Sequence, residues 1–172
     1  MKIMHEQVSF SPNTSLKVKW DDFPHFTYPW HFHSEYEIVF VLKSFGKRFV
    51  ADNIDTFSDG DLVMLGSDLP HFWKSDDAYF SESGNHRVNA LVIQFSKDFF
   101  ASEIEHYPEF HSIKELLKRS AHGIKFHAEF SKKIGVELKK LLKLKDLEQM
   151  LFFLKLLDKL ARTDQYRLLA SD

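Results

Sequence analysis

The first half of the chain alternates short apolar runs with turn residues, as the strands of a β-sandwich or small barrel do. β-branched and aromatic residues fill the runs 36–42, 62–65 and 88–95, and Gly, Pro, Asp and Asn stand between such runs. Turn signals at roughly ten-residue spacing are typical of an all-β unit. We therefore predict a β domain over residues 1–95, with an N-terminal arm ahead of its first strand.

From residue 96 onward the apolar positions recur at helical spacing instead. The run 130–142 predicts one helix, and the run 147–160 predicts another. Only a short connector, residues 143–145, separates them, so the two helices are expected to form an antiparallel hairpin. Residues 96–165 are thus predicted as a helical region.

The last of these helices is apolar on two faces. A surface helix needs only one apolar stripe, so a second stripe predicts burial on two sides. The helix is either central to its own bundle or packed on its domain and on a second subunit. We favour a homodimer, because the chain offers few other helices to cover the second face. The predicted dimerisation residues are Met150, Leu151, Leu154 and Leu157.

Composition narrows the classes of function. The chain has no Cys, which excludes disulfides, thiolate metal sites and a cysteine nucleophile. A net charge of −2 is not that of a protein that coats nucleic acid. The sequence shows neither a signal-peptide pattern nor an uncharged apolar run of about 18 residues, so we expect no membrane segment and a cytoplasmic location.

Ten His residues make histidine chemistry the main candidate. In an extended segment His31, His33 and Glu37 have the same parity and face the same way, together with Glu35. Two imidazoles and a carboxylate on one strand can meet a single divalent ion, and His71 is the best candidate for a fourth ligand. Mixed nitrogen and oxygen ligands suit zinc, nickel, iron or manganese.

The order of these motifs resembles a known family. HFHSEYE at residues 31–37 and GDLVMLGSDLPH at residues 60–71 are similar to the two motifs of the cupin barrel. Followed by a helical hairpin, they resemble more specifically the N-terminal cupin domain of AraC-type transcription regulators. The resemblance implies a mainly β fold with added α, namely a cupin-type double-stranded β barrel (jelly roll) followed by a C-terminal helical hairpin.

The resemblance also implies a function. In that family the cupin domain binds a small-molecule effector, the hairpin dimerises, and a C-terminal helix-turn-helix domain binds DNA. We expect the same here, with a sugar as one candidate effector and without enzyme activity. Residues 166–172 resemble the linker to the DNA-binding domain, which this chain does not contain, so DNA would be bound only through that missing part.

Three interpretations of the histidine group stay open at this point. It holds a metal, it lines a polar effector pocket without metal, or its members are merely hydrogen-bonded structural residues. A metal-dependent cupin enzyme, such as an oxygenase or sugar isomerase, is the alternative to a regulator. The candidate effector-binding residues are His31, His33, Glu35, Glu37, His71 and Trp73.

Overall fold

A computed structural model describes residues 3–81, 86–100 and 106–171 of the chain. The helices are α1 (His111–Arg119), α2 (Ala128–Leu141) and α3 (Asp146–Arg162). The strands are β1 (Met4–His5), β2 (Leu16–Phe23), β3 (His31–Phe32), β4 (Tyr36–Lys43), β5 (Gly46–Val50), β6 (Asn53–Phe57), β7 (Leu62–Leu65), β8 (His71–Ser75), β9 (Val88–Phe95), β10 (Ile124–Phe126) and β11 (Tyr166–Leu168).

The strands form two sheets. One has the order β1-β3-β8-β5-β6, and the other has the order β11-β10-β7-β4-β9-β2. Every described pair is antiparallel except β1 with β3. The predicted cupin-type fold with a helical hairpin is confirmed, with the difference that the two sheets do not close on each other into a barrel.

The burial of strand β4 explains why the first half of the sequence contains continuous apolar runs. Its central residues are buried on both faces. Val39 and Val41 belong to the apolar cluster between the two sheets, where Val50 of β5 also lies. Ile38 and Phe40 point the other way and join the larger cluster beneath the helices. The six-stranded sheet is therefore the middle layer of three, covered by the other sheet on one face and by helices on the other.

The helical hairpin packs on this middle layer. In α2, Gly135 lies so close to Phe40 that an added Cβ would overlap the phenylalanine ring, so only glycine allows this approach. In α3, Phe153 and Leu157 are fully buried in the core of the chain itself. Leu157 therefore covers the chain's own sheet, whereas Leu151 is 51% exposed.

The C-terminal half also contributes strands to the sheet. β10 pairs with β7, and β11 pairs with β10. Beyond β11, Leu169 is buried, and its amide donates to the Gly123 carbonyl at 2.9 Å. The predicted linker comprises residues 166–172. Of these, residues 166–171 are packed against the domain, and residue 172 lies outside the described residues. Within the described residues, no helix is long and apolar enough to cross a membrane.

Candidate functional site

Three histidines meet at one end of the space between the sheets. β3 pairs antiparallel with β8 so that His31 lies directly opposite His71, and His33 follows β3 immediately. The ring centroids are 4.2 Å apart for His31 and His71 and 5.1 Å apart for His33 and His71. One nitrogen from each ring lies within 4.8 Å of the other two, and all three residues are buried. The predicted convergence of these three imidazoles is therefore present in the structure.

The local backbone orients each ring in the same way. In every case Nδ1 lies at hydrogen-bond distance from a backbone carbonyl, which leaves Nε2 to face the other residues of the group. Such bonds fix the tautomer and the ring orientation of histidines that bind metals. The Nδ1 to carbonyl oxygen distances are 2.8 Å for His31 to Pro29, 3.1 Å for His33 to Glu35, and 2.8 Å for His71 to Leu69.

Glu37, on β4 of the other sheet, reaches two of these imidazoles. Its Oε2 lies 3.2 Å from Nε2 of His33, and its Oε1 lies 3.6 Å from Nε2 of His71. Gln94 on β9 pairs with Glu37 in the strand register and donates its side-chain amide to Oε2 at 2.7 Å. Burial raises the pKa of Glu37, but the hydrogen bond with His33 and the charges of His71 and His33 outweigh it and lower this pKa to about 2. The carboxylate is therefore ionised.

The pKa values of the three imidazoles are shifted in different directions. Burial lowers the pKa of His71 to about 4 and also lowers the pKa of His31. Burial acts in the same direction on His33, but the hydrogen bond and charge of Glu37 raise the pKa of His33 overall. At neutral pH His31 and His71 are thus neutral and offer nitrogen lone pairs to the group.

This donor set fits a divalent cation. Nε2 of His71 is buried and has no hydrogen-bond partner among the described residues, although a buried nitrogen lone pair is costly to leave unsatisfied. Three imidazole nitrogens with a nearby carboxylate are ligands of the kind that zinc, nickel, iron and manganese take. Of the four predicted ligands, the three histidines converge on one point, while Glu37 contacts His33 and His71 from the facing strand.

A cavity of about 170 Å³ opens beside the imidazoles. Buried polar atoms without a hydrogen-bond partner among the described residues occur on two of its lining residues: Nε1 of Trp73, a donor, and Oε1 of Gln94, an acceptor. Four of the lining residues are charged, and most of the others are aromatic or aliphatic. The cavity-lining residues are Glu6, Lys19, Asp21, Phe23, Phe26, Thr27, Tyr28, His31, Glu37, Val39, Trp73, Val92 and Gln94.

The predicted effector-binding residues divide into two groups. His31, Glu37 and Trp73 line the cavity, whereas His33 and His71 contact Glu37 without lining it. Glu35 is absent from the lining residues described, and its carboxylate accepts a hydrogen bond from the neighbouring Ser34 hydroxyl.

Other residues that line the cavity, among them Gln94 and Glu6, were not predicted from the sequence. Gln94 had a visible signal, since it is a polar residue inside an otherwise apolar strand. Glu6 had none, because it follows a two-residue strand whose partner lies 27 positions further along the chain.

No protein-family model and no curated protein sequence matches this chain. Among solved structures, the crystal structure of unsaturated fatty acid bound wild-type ToxT from Vibrio cholerae matches with a TM-score of 0.54. The chain shares the fold of the part of ToxT that it matches.

This similarity covers 88% of the present chain and 53% of that ToxT chain at 18% sequence identity. A second crystal structure, of an apo ToxT variant, matches with a TM-score of 0.52 and 13% identity, over 86% of this chain and 55% of that one. The chain therefore spans about half the length of the ToxT structures that it matches. At these identities the similarity establishes the shared fold.

Proposed function

We propose that the chain is the small-molecule-sensing and dimerisation domain of an AraC-type transcription regulator that acts in the cytoplasm. The observation that carries this proposal is the cavity between the sheets, in a fold shared with about half of ToxT. Two of its lining residues, Trp73 and Gln94, have a buried polar atom without a hydrogen-bond partner among the described residues. Cavities of this kind, apolar with a few convergent polar groups, are typical of ligand sites. In the proposed regulator, DNA is bound by a helix-turn-helix domain outside residues 1–172.

The charges of the cavity favour a neutral effector with hydroxyl groups, such as a sugar. Lys19 contributes an ammonium group, but its Nζ already lies 3.3 Å from a carboxylate oxygen of Asp21. Glu6 and Glu37 add two further carboxylates to the lining. Without a bound cation, an ionised carboxylate on the effector would therefore meet repulsion. Hydroxyl groups can accept from Trp73 Nε1 and donate to Gln94 Oε1.

We also propose that the three imidazoles hold a divalent cation, namely zinc, nickel, iron or manganese. When bound, such an ion supplies a Lewis-acidic contact for an oxygen atom of the effector. His31, His33 and His71 would hold it, and Glu37 would balance its charge from the facing strand. Without a cation, His31 and Glu37, which line the cavity, would bind the effector directly as part of a polar pocket.

A metal-dependent cupin enzyme, such as an oxygenase or sugar isomerase, is the second candidate, favoured by the same group of three imidazoles. Turnover separates the two functions. The chain is loaded with nickel, iron or manganese, and oxygen uptake and the interconversion of aldoses and ketoses are followed. A sensor binds without converting its ligand, so we expect rates equal to those of the free metal. A rate that depends on protein and is lost in His71→Ala would establish the enzyme instead.

The proposed dimer surface lies on the outer face of α3. Leu147 and Leu151 are 69% and 51% exposed, and Leu154 and Met150 are partly exposed. Leu157 is excluded from this surface by its burial within the chain. Exposed leucines at a helical spacing of three and four form the apolar stripe that a second helix would cover.

Charged substitutions on this stripe should separate the protomers. We expect the double variant Leu151→Glu, Leu154→Glu to sediment as a monomer at concentrations where the wild type is a dimer, because burying two carboxylates in an apolar interface is costly. Val136→Glu is the matched control, since Val136 is 63% exposed on α2, and it should remain dimeric. A monomeric wild type, or a double variant that stays dimeric, would contradict this surface.

A further inference from the structure

The N-terminal strand β1 is held against β3, the strand that carries His31. The two run parallel, with Met4 beside His31 and His5 beside Phe32. In addition, the backbone amide of Met4 donates a hydrogen bond to the backbone carbonyl of Trp30 at 3.0 Å. The ring of His5 stacks on that of Phe32 with a centroid distance of 4.9 Å. This pairing places the residue after β1 at the edge of the histidine group.

That residue is Glu6. Its amide donates to the Phe32 carbonyl at 2.9 Å, which fixes the backbone, and its side chain is 17% exposed. Its Oε2 lies 3.5 Å from Nε2 of His31, and it lines the cavity. A carboxylate from a separate segment of the chain therefore lies beside His31, one of the three imidazoles.

The contact is of the kind that an intervening cation stabilises. His31 uses Nδ1 toward the Pro29 carbonyl, so Nε2 is the ring atom that faces the carboxylate oxygen of Glu6. An imidazole nitrogen and a carboxylate oxygen on neighbouring segments are two donor atoms that one divalent cation can join. Nε2 of His71, a buried nitrogen without a hydrogen-bond partner among the described residues, is directed at the same group.

We propose that Glu6 is a further ligand of the cation held by His31, His33 and His71, so that cation binding and docking of the N-terminal strand stabilise each other. The inference rests on the cation site proposed above. The coupling free energy between two binding events is the same in both directions. If Glu6 on this segment is a ligand, the bound cation therefore stabilises the docked strand by as much as the docked strand stabilises the bound cation. The bound cation would thus keep β1 docked and Glu6 in its place in the cavity wall.

Zinc binding to the full chain tests both halves of this proposal. We expect Glu6→Gln to weaken zinc affinity by about 10- to 100-fold, measured by competition with a chelating dye. In the wild type, saturating zinc should slow hydrogen exchange at the amides of Met4 and Glu6 by a similar factor, and in Glu6→Gln it should not. Glu129→Gln is the control, because this glutamate is exposed on α2, and it should match the wild type in both measurements.

The outcomes separate the two levels of the proposal. A wild type that binds no zinc would overturn the cation site and this inference together. Equal zinc affinity in the wild type and Glu6→Gln, with loss of affinity in His71→Ala, would overturn the role of Glu6 and leave the cation site standing. Reduced affinity in Glu6→Gln without any effect of zinc on amide exchange in the wild type would overturn the coupling to the strand. Thermal unfolding of Glu6→Gln without zinc shows that the variant is folded.

Discussion

Replacing Arg48 with methionine is expected to lower the free energy of unfolding by about 3–5 kcal/mol, the largest stability effect of any single change considered for this chain. The Arg48 side chain is fully buried, and its guanidinium contacts the carboxylates of Asp61 and Asp55. Its removal leaves these carboxylates partly uncompensated in a region of low dielectric. Lys125 still reaches both of them, at 3.2 and 3.4 Å, which favours the lower end of the range.

Two control variants show whether the loss comes from an unpaired buried charge. Arg87→Met removes an exposed arginine whose partner is Asp22, and it should cost less than about 1 kcal/mol. The double variant Arg48→Met, Asp61→Leu removes one buried charge of each sign and should recover part of the lost stability. Urea denaturation measures all three. A loss below 1 kcal/mol for Arg48→Met would show that this buried cluster does not stabilise the fold.

The second large effect is expected on cation affinity. Replacing His71 with alanine should weaken zinc binding by at least about 100-fold, since His71 lies in the centre of the group and contacts both His31 and Glu37. Its Nε2 is also the buried nitrogen that a cation would satisfy. Elemental analysis of the purified variant should find no bound metal where the wild type carries about one ion per chain, the occupancy expected of a single three-imidazole site.

With ten histidines in the chain, the control must exclude non-specific binding. His127→Ala serves this purpose, because His127 is exposed and lies at the start of α2, away from the group of three. It should keep the wild-type zinc affinity. Equal loss of zinc in both variants, or equal retention in both, would contradict a site built on His71.

The histidine group could be predicted because it depends on short-range patterns. Alternation along an extended segment places His31 and His33 on one side, and this parity holds whatever the rest of the fold is. His71 was the best candidate for a further ligand, the resemblance to the cupin motifs agreed with it, and strand pairing sets it opposite His31. Glu37 also reaches the group, but from the other sheet, across the interior.

What could not be predicted depends on pairing between distant segments. Glu6 enters the site through a two-residue parallel ladder, which leaves no periodic signal. β10 and β11 are three residues each and lie in the half predicted as helical. Leu157 belongs to the same apolar helix as Leu151, and only the packing of α3 on the sheet decides which of them is buried.

The proposed function requires the cavity between the sheets to bind a neutral small molecule. The test is the Tm of the wild type and of Val39→Phe, measured by thermal unfolding with neutral monosaccharides. Each monosaccharide is measured with and without zinc. Val39 is buried and lines the cavity, so phenylalanine fills part of the space. Val136→Phe, at an exposed position on α2, is the control. An unsaturated fatty acid, the class of ligand bound in the ToxT structure, is included as the charged comparison.

We expect a monosaccharide to raise the Tm of the wild type and of Val136→Phe by roughly 5–10 °C at saturating concentration. In Val39→Phe the same compound should have no effect. Stabilisation by the fatty acid without zinc would contradict the charge argument for a neutral effector. If no monosaccharide stabilises the wild type, or if stabilisation persists in Val39→Phe, the cavity is not the effector site described above.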